Sequence, residues 1–154
     1  MSWRSIQLGQ ELCDQDKIIL DLFQNKQVKY VGIDREFRQR LNTSTTAKNL
    51  VLVLNQNQWC SDIVKACQQH LDSTIDKFYI GINRYIILGN DTNRNVQLTG
   101  QHGNDMVEFV SSIVSEQGFT VTKYGVFDND LGRYFNFVQP LTWVYGTKAT
   151  NKSN

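Results

Sequence analysis

Residues 50 to 54, inside the run NLVLVLN, are apolar at every position, and this run limits the fold more than any other part of the chain. Successive side chains of a strand point to opposite faces, so a strand with no polar side must be covered on both. Such a strand belongs at the centre of a sheet held between two layers. A helix is expected next, because Trp59, Ile63, Cys67 and Leu71 recur at near-helical spacing, with Asn57 as N-cap and an end near Asp72.

The same patterns place the other elements. A helix is expected over 7–24, with Leu8, Leu12, Ile19 and Phe23 on one stripe flanked by Cys13 and Leu20. QVKYVGID reads as a strand, residues 34–41 are ambiguous, and NTSTTAK reads as a polar loop. KFYIGINRYIIL, residues 77–88, reads as a strand or tight hairpin with Gly81 marking a bulge or a close backbone approach. Asn104 is expected to cap a helix that runs to Gln117 and stops at Gly118. Beyond it FTVTKYGVF, RYFNFV and LTWVY form a meander, and the chain frays from residue 149. The expected fold is a single α/β (α+β) domain over residues 1–148. Its mixed, largely antiparallel sheet packs with about three helices and ends in a C-terminal β-meander.

Composition narrows the function classes. The formal charge of +1 rules out a binder that works by charge alone, which argues against nucleic acid. No apolar stretch is long enough to span a bilayer, and the start MSWRSIQLGQ lacks a signal-peptide layout, so a cytoplasmic chain with no membrane partner is expected. Cys13, Cys60 and Cys67 are an odd number in a chain large enough to hold its own core, so no disulfide framework is expected. Asn and Gln reach 28 residues but are interleaved with apolar ones, unlike a low-complexity tract.

Three segments carry resemblances to known families. VLVLNQNQWCSDIVKAC delivers Trp59 and Cys60 to a helix start, where unpaired amides stabilise a thiolate. It resembles the active-site stretch of the thioredoxin family, which implies thiol chemistry at Cys60. Ile63 stands where that family's second cysteine belongs, and Cys67 lies two turns from Cys60, so the resemblance implies a monothiol role and not a dithiol cycle. Gln97-Leu-Thr-Gly100-Gln-His-Gly103 is similar to the pyrophosphate loop of the GNAT acyltransferases, which implies acyl-CoA, although His102 occupies the last small-residue position. FYIGIN and RYFNFV resemble degenerate RNA-recognition motifs, which implies single-stranded RNA stacked on exposed aromatics.

No complete catalytic constellation, cofactor motif or metal-ligand pattern can be written from these residues. Cys60, Cys67 and His70 share a helix face, but a tetrahedral site needs a further ligand. The leading expectation is a non-catalytic domain that acts through a protein partner or through self-association. The C-terminal part is rich in large aromatics, Tyr124, Phe127, Tyr134, Phe135, Phe137, Trp143 and Tyr145, which cannot all face one core. The candidate binding residues are Trp59, Cys60, Tyr134, Phe135, Phe137, Trp143 and Tyr145.

Overall fold

The structure, a computed structural model, describes residues 13–32, 34–55, 59–83, 101–125 and 142–149, with the backbone alone at 55, 59–62, 83 and 101–104. The elements in chain order are α1 (Asp14–Asn25), β1 (Gln27–Gly32), α2 (Arg35–Arg40), β2 (Asn42–Thr43), β3 (Asn49–Asn55) and α3 (Trp59–His70). They continue with β4 (Lys77–Asn83), α4 (Gln101–Glu116), β5 (Phe119–Gly125) and β6 (Thr142–Lys148). The strands form one sheet in the order β2-β1-β3-β4-β6-β5. It is the mixed α/β sheet that the element order implies, with a larger parallel share than expected. The β2-β1, β1-β3 and β3-β4 ladders are parallel, and among the described residues antiparallel pairing is confined to β4-β6 and β5-β6.

The alternation in β3 divides the core. Leu50, Leu52 and Leu54 face one layer with Ile63, Cys67 and Leu71 of α3 and Met106, Val110 and Val114 of α4. Val51 and Val53 face the other, with Ile18, Ile19 and Leu22 of α1 and Phe37 after β1. Both faces of the central strand are thus buried, as its uninterrupted apolar run requires.

Several elements depart from expectation for identifiable reasons. In α1 Ile19 is buried and Phe23 packs against the same cluster as expected, and the buried face also takes in Gln15, Asp16, Ile18 and Leu22, so the stripe is wider than expected. A glutamine can sit there because Gln15 Nε2 donates to Tyr79 Oη at 3.0 Å. Residues 7–12 of the expected helix lie outside the described residues. The ambiguous segment is helical, set by Asp34, whose carboxylate caps the Phe37 amide at 3.0 Å. Gly81 lies in unbroken register with Val53 and Trp143, and the one irregularity on that side is the shift between Val121 and Lys123. Gly118, at φ 91°, ends the helix as expected. Ala149 is tied to Gly118 by an N–H···O=C bond of 2.8 Å, so the chain is still held there.

The C-terminal strand is the largest topological surprise. β6 does not extend a meander outward but lies between β4 and β5, antiparallel to both. RYFNFV lies outside the described residues. Among the described residues no helix is long and apolar enough to cross a membrane.

Candidate functional site

From β1 the chain steps outward to β2, then returns to the opposite side of β1 to build β3 and β4. The winding therefore reverses between β1 and β3, with Phe37 of α2 packed on one face and α3 on the other. At such a reversal the connections diverge, and in open α/β sheets ligands usually sit outside the carboxyl ends of the two strands.

Gly32 closes β1 beside Val53. Two places before it is Tyr30, whose hydroxyl accepts from Asp34 N and donates to Asp34 O, both at 3.1 Å. A Cβ on Gly32 would meet Tyr30 Oη at 2.5 Å and the Val53 carbonyl at 2.8 Å, so only glycine lets the ring fold over the strand end. Tyr30 is further held by stacking on Phe37 at 6.3 Å and by Arg38, 5.8 Å from its centroid. Together these contacts fix the rim on the β1 side. On the other side Asn55 ends β3 in register with Asn83, which ends β4. Trp59 and Cys60 then fall in the first turn of α3, where the leading amides have no partner within the helix.

The other sequence-derived candidates do not join this place. Trp143 is 1% exposed, packed in the layer of α1 and stacked on Tyr79 at 6.0 Å, so it is a core residue and not an exposed anchor. The position of β6 inside the sheet is the cause. Tyr145 is partly buried at the opposite end of the sheet, where it lines a hollow of about 10 Å³ with Asp21, Lys26, Asn49 and Lys77, room for no more than one water. Burial, and then Asp21, raise its hydroxyl pKa above the ordinary value. Tyr134, Phe135 and Phe137 lie outside the described residues. Sequence reasoning missed the Tyr30–Gly32–Asp34 brace, whose only signal was a tyrosine two places before a glycine at a strand end.

The three family resemblances meet the structure unevenly. Strand β3 and helix α3, with Trp59 and Cys60 at the helix start, are present, and Ile63 is fully buried in the core. Gln101, His102 and Gly103 already belong to α4, so the helix begins inside the segment read as a phosphate loop. Phe78 and Tyr79 are buried on opposite faces of the sheet, which leaves β4 without a stacking platform. Cys67 is also core, and among the described residues no three His, Cys, Asp or Glu side chains gather into a metal site.

Burial pushes the Cys67 thiol from the ordinary 9.0 up to about 12. Below the unfolded value both states keep the proton and nothing is lost. Above it the unfolded chain releases a proton that the folded chain holds, so stability falls as pH rises, by about 1.4 kcal/mol per pH unit. Urea titrations between about pH 9 and about pH 11 are expected to show this slope in the wild type and a flatter one in Cys67→Ala. Equal slopes would mean that the thiol is not buried.

No family model, no curated protein and no solved structure matches this chain.

Proposed function

We propose that the chain is a binding domain for a small, uncharged, ring-bearing ligand of nucleoside type, seated outside the carboxyl ends of β1 and β3. The reversal of strand order between β1 and β3 carries this reading, and fold-level topology is its warrant. The ligand class follows from the sequence between β3 and α3. β3 leads through Asn55, Gln56, Asn57 and Gln58, four carboxamides in succession, into Trp59 and Cys60. Carboxamides offer donors and acceptors without charge, and an indole offers a flat face. No lysine or arginine occurs in this stretch to hold a phosphate.

The test is amide chemical-shift mapping of the labelled protein with adenosine, guanosine, cytidine and uridine at millimolar concentration. The reading expects one of them to shift Gly32, Asn55, Cys60 and Asn83 together and to slow alkylation of Cys60 by iodoacetamide. Shifts confined to β5 and α4, or no response to any nucleoside, would end it. A Cys60 thiol that alkylates fast with an apparent pKa far below about 8.5, with no nucleoside effect, would favour thiol chemistry instead.

A further inference from the structure

The Tyr30 hydroxyl is committed to a single residue. It accepts from the Asp34 amide and donates to the Asp34 carbonyl, so one side chain closes the connection from β1 to α2 on itself. The same carbonyl also accepts from Arg38 N at 3.1 Å, and the Asp34 carboxylate accepts from Phe37 N at 3.0 Å. The residue that starts α2 is thereby tied to β1 by one side chain and to its own helix by two further bonds. Asp34 is buried, where a backbone group that loses its partner is costly. The ring behind the hydroxyl is anchored as well. It lies at 13° to the ring of Phe37, which is fully buried and packed against Phe23 and Tyr79.

We infer that Tyr30 is the positioning residue of the site proposed outside β1 and β3: it sets the β1–α2 connection in its ligand-bound form before a ligand arrives. The inference rests on that reading. A connection that has to be ordered on binding lowers the apparent affinity by the fraction of molecules that already hold the competent form. The Tyr30 clasp removes this loss on the β1 side, and it can close because Gly32 has no Cβ to meet Tyr30 Oη and the Val53 carbonyl. Tyr30 thus acts through Asp34.

Tyr30→Phe keeps the ring on Phe37 and deletes both hydroxyl bonds. The labelled wild type and this variant are titrated with adenosine, guanosine, cytidine and uridine. The nucleoside that the wild type binds best is expected to bind the variant about tenfold more weakly. In the free variant the Asp34 and Phe37 amides should shift and exchange faster, and at saturation they should return to the positions of the saturated wild type. Loss of a residue that only supports the core would not be reversed by ligand in this way. Tyr124→Phe, which deletes the hydroxyl of an exposed tyrosine on β5, should bind like the wild type. Equal affinity in Tyr30→Phe, or an Asp34 amide that stays displaced at saturation, would overturn the inference and leave the nucleoside reading standing. A wild type that binds none of the four would end that reading and this inference with it.

Discussion

Trp143→Ala is expected to remove about 3–5 kcal/mol of stability and to lower the melting temperature by about 10 °C or more. The indole is 1% exposed and stacks on Tyr79 at an interplanar angle of 26°. Its cross-strand neighbours are Gly81 on β4 and Gly125 on β5. A Cβ on Gly125 would run into the indole Nε1, so the ring occupies the space that the missing side chain leaves. Among the described residues Nε1 has no hydrogen-bond partner, and a buried donor left unsatisfied costs about 1–3 kcal/mol. Trp143→Phe keeps a ring on Tyr79 and deletes that donor, so it should lose less than about 2 kcal/mol. Urea denaturation of both variants decides the matter. An unchanged Trp143→Ala would put the indole outside the core, and a Trp143→Phe as damaging as Trp143→Ala would mean that Nε1 is paired.

The contrast between Trp143 and β3 shows which parts of the fold were legible in the sequence. An apolar residue at every position of NLVLVLN states locally that both faces must be covered, and the structure covers both. Helix α3 and the stop at Gly118 are equally local, since they depend on spacing over a few turns and on one backbone angle. Trp143 was different. Its alternation with Val144 and Tyr145 allowed burial or exposure, and the choice depends on β6 entering between two strands that are distant in sequence. Short elements were hidden for another reason. α2 contains one apolar residue, Phe37, among charged residues and Gln39, and it exists because Asp34 caps it and Phe37 packs on Phe23 and Tyr79. The candidate site was half legible. Trp59 and Cys60 could be placed at a helix start, but the partner rim of Tyr30, Gly32 and Asp34 follows from strand order, which local patterns do not encode.

Gly146→Ala is expected to cost about 3 kcal/mol, the upper part of the usual range for overpacking. Gly146 stands opposite Phe78 on β4 and Val121 on β5, so its missing side chain is what lets the strand sit between them. A Cβ there would collide with the backbone carbonyl of Thr120 and come within 2.8 Å of the Phe78 ring. The ring cannot easily retreat, because it is packed edge-on against Phe119 at 5.9 Å. The carbonyl cannot turn aside without displacing β5. Gly118→Ala gives the comparison: its φ of 91° strains an alanine, but nothing lies within 4 Å of the added carbon, so about 1–2 kcal/mol is expected. The two changes should also differ in where they loosen the protein. Amide exchange in Gly146→Ala should quicken along β5, at Val121 and Tyr124, ahead of β3, whereas Gly118→Ala should act at the turn after α4. A Gly146→Ala protein within about 0.5 kcal/mol of the wild type would show that β6 does not run this close to β5, and the insertion of β6 between β4 and β5 would then be wrong.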